Sequence, residues 1–198
     1  MKNESELIPT ASQTVGPFFH LGCTNHRSVE CLADQNTPGE RITVACRVLD
    51  GDGARVNDAM IEIWQANSGG RYQGEKSEQE KLRGGLFRGF GRLATDENGR
   101  CAFKTIKPGA VPANSEPGDG SLQAPHINVS VFARGILKRL CTRIYFAGDP
   151  ANERDGILSL VPENRRNTLL ATPDSTNPGR WQFTIHLCGE CETVFFDV

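Results

Sequence analysis

Hydrophobic and polar positions alternate along most of this chain. From His126 the run Ile127, Val129, Val131 is apolar, while His126, Asn128 and Ser130 fall between. A period of two over this length predicts a half-buried β-strand, with alternate side chains on opposite faces. The same rhythm predicts strands over Arg41 to Asp50, Ala59 to Gln65, Gly91 to Thr95, Arg100 to Ile106, Leu137 to Phe146, Trp181 to Leu187 and Glu192 to Val198. In the second of these, Ile61 and Ile63 share one face and Met60, Glu62 and Trp64 the other.

Turn chemistry separates the strands. Asp50-Gly51-Asp52-Gly53 reads as a turn, Asp96-Glu97-Asn98-Gly99 as a hairpin, and Gly148-Asp149-Pro150 as a strand end. Pro162 to Leu170 is the best helix candidate, a short one with Glu163 in its first turn. Ala66 to Arg88 is a polar loop with room for one helical turn, and Ala110 to Gln123 a Pro/Gly/Ser loop. The chain opens on an extended arm, Ser12 to Phe19, whose Gly16-Pro17 step precedes two aromatics that need a docking surface; residues 22–40 follow with little pattern. The expectation is an all-β antiparallel sandwich with one short helix, long loops and an N-terminal arm. Residues 1–40 form the arm and an extended segment, and residues 41–198 the sandwich. There is no βαβ rhythm, phosphate-cradling glycine loop or long internal repeat.

Composition narrows the reading. The 198 residues are enough for one core, and 37% hydrophobic content with 10 Phe and 2 Trp can fill it. A net charge of −2 gives no electrostatic footprint for nucleic acid or an anionic membrane. No apolar run reaches the ~20 residues of a membrane span, and Met1 to Thr10 lacks a signal-peptide core, so the expected location is cytoplasmic. Seven cysteines at irregular spacing do not read as a disulfide framework. Cys46, Cys101 and Cys141 lie in strand patterns. Cys188-Gly189-Glu190-Cys191 has no second ligand pair and reads as a bend between strands, not as a zinc or redox site.

Several short motifs then occur in a fixed order: Trp64-Gln65-Ala66-Asn67 with Gly70-Arg71-Tyr72, Gly91-Arg92, Thr105-Ile106-Lys107-Pro108-Gly109, Ala124-Pro125-His126-Ile127, and Arg143-Ile144-Tyr145-Phe146. In this order they resemble the intradiol ring-cleaving dioxygenases, from about residue 9 to the C-terminus. Within that family, Ser12-Gln13-Thr14 with Gly16-Pro17, the His-Ile-Asn spelling, Phe132-Ala133-Arg134-Gly135 and Glu192 to Asp197 are similar to a non-catalytic alpha type of chain. That type pairs with a homologous catalytic beta chain and assembles into higher alpha–beta oligomers.

The resemblance implies a ferric centre of two tyrosinates and two histidines, since hard Fe(III) suits phenolate oxygen and imidazole. Tyr72 matches the first tyrosine and His126 the first histidine. Val111 stands at the second tyrosine, Asn128 at the second histidine, and Gln123 at the substrate-binding arginine. Two ligands of four imply that this chain holds no iron and carries no catalytic residue, with Tyr72, Val111, His126 and Asn128 as vestigial positions and Fe(III) held by the beta chain. On this reading Thr14, Gly16, Pro17 and Arg134 form a wall of the partner's substrate pocket, where protocatechuate is opened by dioxygen. Their plain alternatives are an ordinary docked arm and a solvated strand-end charge. Two other functions stay open: an independently active catechol dioxygenase with ligands from elsewhere, and a non-enzymatic β-sandwich binding module.

Overall fold

The computed structural model describes residues 10–16, 18–24, 29–72, 87–113 and 121–197. Pro17, the charged part of the loop after Tyr72, and the centre of the Pro/Gly/Ser loop lie outside them.

Among the described residues ten strands follow one short helix, α1 (Phe19–Thr24): β1 (Arg41–Leu49), β2 (Met60–Gln65), β3 (Phe90–Ala94), β4 (Arg100–Ile106), β5 (Val111–Pro112), β6 (Leu122–Gln123), β7 (His126–Phe132), β8 (Leu140–Phe146), β9 (Leu170–Pro173) and β10 (Arg180–His186). Eight of them run in the order β3-β2-β7-β8-β9-β10-β1-β4, and β5 pairs with β6. The sheet folds into two layers because β9 pairs with β8 on one side and β10 on the other. Most neighbours are antiparallel; β8–β9 and β1–β10 are parallel.

The alternation defines the core. Ile42, Val44, Cys46 and Val48 from β1 meet Ile61 and Ile63 from β2, Val129 and Val131 from β7, and Phe103, Phe146, Phe183 and Ile185. Each fully buried aliphatic or aromatic side chain in such a core contributes roughly 1.5–3 kcal/mol. The all-β sandwich and the alternation of its strands therefore follow the expected pattern.

Four local expectations are corrected. The Asp96–Gly99 turn forms, with Gly99 N–H donating to Asp96 O at 2.8 Å, but no hairpin results. Instead β3 and β4 end at opposite edges of the sheet. The patternless segment after α1 fills the seam between them, Val29 bridging to Arg92 and Cys31 to Lys104. The Pro162–Leu170 helix is a 3-10 helix over Glu163–Leu169, and two further short turns precede it: a 3-10 turn at Pro150–Arg154 and α2 (Gly156–Ser159). The C-terminal stretch contributes a bridge from Phe196 to Cys141 and no strand of its own. Cys188 to Cys191 makes the expected bend after β10, with Glu192 N–H donating to Gly189 O at 3.0 Å.

One buried polar group ties the layers together. Gln65, at the end of β2 and fully buried, donates to Ile106 O at 2.9 Å and accepts from the Thr105 hydroxyl at 2.9 Å, both at the end of β4. Gln65→Ala leaves a hydroxyl and a carbonyl unpaired beside a cavity. The expected cost is about 2–4 kcal/mol in urea unfolding of the full chain, and a loss below about 1 kcal/mol would contradict this role.

Candidate functional site

The outward face of β7 and β8 carries the expected site residues. Register places His126 opposite Tyr145, Asn128 opposite Arg143, and Trp64 of β2 on the other side of Asn128. The helical turns from residue 150 to residue 169 cover part of this face. Leu158, Val161 and Leu169 pack with Ala124 on Tyr145, so His126 is buried at the edge of the cover. Tyr72 enters from the loop after β2. Its ring stacks on Trp64 at 6.1 Å between centroids and 7° between planes.

A chain of hydrogen bonds links the three family positions. His126 Nδ1 lies 2.8 Å from Ala124 O, so it carries the proton and Nε2 is left as an acceptor. The Tyr72 hydroxyl reaches that Nε2 at a long 3.4 Å and itself accepts from Asn128 Nδ2 at 3.0 Å. The direction Asn128 to Tyr72 to His126 to Ala124 uses the imidazole lone pair that a metal would need. Asn128 turns a donor, not a lone pair, toward the phenol oxygen.

The charged side chain beside this chain of bonds is Arg143, which the sequence motifs contain without a role. Arg143 Nη1 donates to Gln123 Oε1 at 2.7 Å and to Tyr145 Oη at 3.4 Å. Gln123 is in turn the β-ladder partner of Val111, which is buried. Burial first, then the Arg143 charge, pushes His126 down to about 4. Burial pushes Tyr145 up to about 12. Tyr145 donates to the buried Asp155 at 3.1 Å, and Asp155 also accepts from Ala124 N and Leu158 N at 2.7 Å each. The signal for Arg143 was present in the alternation of β8, but its meaning needed the β7–β8 register.

The donor set does not fit ferric iron. Val111 carries no donor atom, Asn128 is a neutral amide, His126 Nε2 is engaged, and a guanidinium already supplies a positive charge beside them. Among the described residues no three His, Cys, Asp or Glu side chains are grouped to hold a metal ion. Next to the face lies a cavity of about 570 Å³, mostly apolar, bounded by Asn128, Arg143, Ile157, Leu160 and Phe196.

The arm residues are elsewhere. The Thr14 hydroxyl accepts from Gly135 N–H at 2.8 Å, Arg134 Nε pairs with Asp58, and Phe19 packs on Phe132 at 5.6 Å. These contacts join Thr14 and Arg134 at the far end of β7, roughly 25 Å from His126 at strand spacing. Gly16 is exposed with open space where a Cβ would stand, and Pro17 lies outside the described residues.

A family profile described as "Dioxygenase" matches residues 14–197. The chain belongs to this family of intradiol ring-cleaving dioxygenases, whose members are iron-dependent. It is 39% identical to the protocatechuate 3,4-dioxygenase alpha chain of Burkholderia cepacia, over 97% of this chain and 98% of that one. It is also 37% identical to the beta chain of the same organism's enzyme, over 87% of this chain and 75% of that one. Among solved structures, the dioxygenase domain of a carbohydrate-binding fusion protein from Streptomyces sp. SirexAA-E is 26% identical. It superposes with a TM-score of 0.61 over 94% of this chain and 100% of that one. Among the described residues no helix is long and apolar enough to cross a membrane.

The charge argument gives a pH signature. An ordinary imidazole titrates near 6.5, so between about 6.5 and about 4 the unfolded chain binds a proton at His126 that the folded chain does not. This group's contribution to stability is present above 6.5 and is lost as the pH falls through that window. Arg143→Gln removes one of the two depressing causes. NMR titration of the His126 ring should then show its pKa rise, and the stability loss between pH 6.5 and pH 4 should shrink. An unchanged His126 titration would contradict the coupling.

Proposed function

We propose that this chain is the non-catalytic alpha-type subunit of a protocatechuate 3,4-dioxygenase. A homologous beta chain supplies both tyrosinates, both histidines and the iron. The observation that carries this reading is the guanidinium of Arg143. It lies beside a family histidine, among an amide and an alkyl side chain at two other ligand positions. Such a face repels a further cation. Likeness to alpha chains over nearly the whole length supports the same conclusion.

The assembled pair opens the ring of protocatechuate with dioxygen, between the two hydroxyl-bearing carbons, giving 3-carboxy-cis,cis-muconate in the β-ketoadipate route of aromatic breakdown. In this chain residues 1–40 comprise the arm and an extended segment that dock on the domain or on the partner chain, with Val29 and Cys31 bridging to this chain's own strands, and residues 41–198 are the body that the beta chain packs against. Thr14, Gly16, Pro17 and Arg134 form one wall of the beta chain's substrate pocket. The roughly 25 Å between that cluster and His126 supports the assignment, because the arm is too far away to serve a site on its own sheet. Gly16, where no described residue beyond its chain neighbours comes within 4 Å of the place a Cβ would occupy, leaves room for a partner's backbone or for substrate to approach closely.

The chain alone should not cleave protocatechuate. Co-expressed with a beta-type chain, it should co-purify with it and the complex should turn over. In that complex Thr14→Ala and Arg134→Ala should each lower kcat/KM for protocatechuate by about tenfold while iron content is unchanged, as expected for loss of one polar contact to substrate or pocket wall. Turnover by the isolated chain would overturn the subunit reading. Wild-type kinetics in both variants would overturn the wall assignment alone.

A further inference from the structure

The outer face of the β10–β1–β4 layer carries charges that none of the roles above uses. Register sets Arg47 of β1 directly opposite Arg100 of β4. Like charges in cross-strand register are destabilising. One step along the same face Ala45 meets Ala102, and two small side chains lower the floor beside the arginines. Thr184 of β10 flanks Arg47 on its other side. Together they bound a cavity of about 490 Å³.

The acids at its rim are already engaged. Asp96 accepts from the backbone N–H groups of Asn98 and Arg100, both at 2.8 Å. Asp174 accepts from the Thr176 hydroxyl at 2.7 Å and from Gln182 at 3.0 Å, and Arg180 lies 3.8 Å away. Among the described residues neither Arg47 nor Arg100 has an ion-pair partner within 4.0 Å. Arg47 Nε is buried without an acceptor. An unpaired buried donor and an opposed pair of cations are two separate costs at one place. A single oxyanion bridging the two side chains offsets both, because the guanidinium fork matches the oxygens of carboxylate and phosphate.

We propose that this cavity is a binding site for a small oxyanion, clamped between Arg47 and Arg100 with the Thr184 hydroxyl beside it. The site stands on this chain's own residues and does not depend on the subunit assignment.

Calorimetric titration of the full chain tests it, with citrate and inorganic phosphate as probes, each against sodium chloride at matched ionic strength. The expected result is saturable binding at one site per chain, weakened by about tenfold or more in Arg47→Gln and in Arg100→Gln, the size expected for one charge-assisted hydrogen bond. Arg154→Gln, an exposed change elsewhere, should bind as wild type. Tighter citrate binding would point to carboxylate ligands, and tighter phosphate binding to phosphate ligands. With no oxyanion present, Arg47→Gln should melt at a higher temperature than wild type, since it removes the opposed charge; this readout does not rely on binding. Failure of both probes to saturate, or undiminished binding by both glutamine variants, would overturn the proposal.

Discussion

A guanidinium held in place beside a buried imidazole is the constraint on which the functional reading rests. Arg143 is fixed by Gln123 and Tyr145, and Tyr145 by the buried Asp155. Asp155 also accepts the backbone N–H of Ala124, two residues before His126, and that of Leu158 in α2. One carboxylate thus joins the cover of the site to its floor. Burial, with the Arg143 charge added to it, keeps His126 neutral across the physiological range, and the guanidinium leaves a metal ion facing a cation.

That arrangement depends on the sandwich. The β7–β8 ladder sets Asn128 against Arg143 and His126 against Tyr145, and a one-residue slip would send all four to the core face. The core prevents the slip, because Ile127, Val129, Ile144 and Phe146 are buried on the inner side. Packing therefore holds the polar face in register, and the polar face determines what the chain can bind. The same register logic operates on the other layer, where it opposes Arg47 to Arg100.

Much of the fold was legible because period-two alternation is a local property of each strand. β1, β4 and β7 match the expected spans closely. Partner choice is not local. The Asp96–Gly99 turn looks like a hairpin connection, yet its flanking strands join different edges, and nothing within the turn records that. Segment 29–33 has no strand pattern because it makes only isolated bridges to β3 and β4. Around the site, Tyr72, His126 and Asn128, which only the family resemblance grouped, converge on adjacent positions, with Val111 reaching the same neighbourhood through Gln123. The role of Arg143 escaped because a charge on a strand reads as solvated until its cross-strand neighbours are known. Thr14 and Arg134 were grouped through the family resemblance, and the contact that joins them, Gly135 N–H donating to the Thr14 hydroxyl, is visible only in three dimensions.

The most direct test of the account is the iron stoichiometry and visible spectrum of the purified chain without any partner, after exposure to excess ferrous iron in air and removal of unbound metal. The account predicts a colourless protein with far less than one iron per chain. One tightly held iron per chain, with the visible absorption of a phenolate–ferric bond that disappears in Tyr72→Phe, would contradict it.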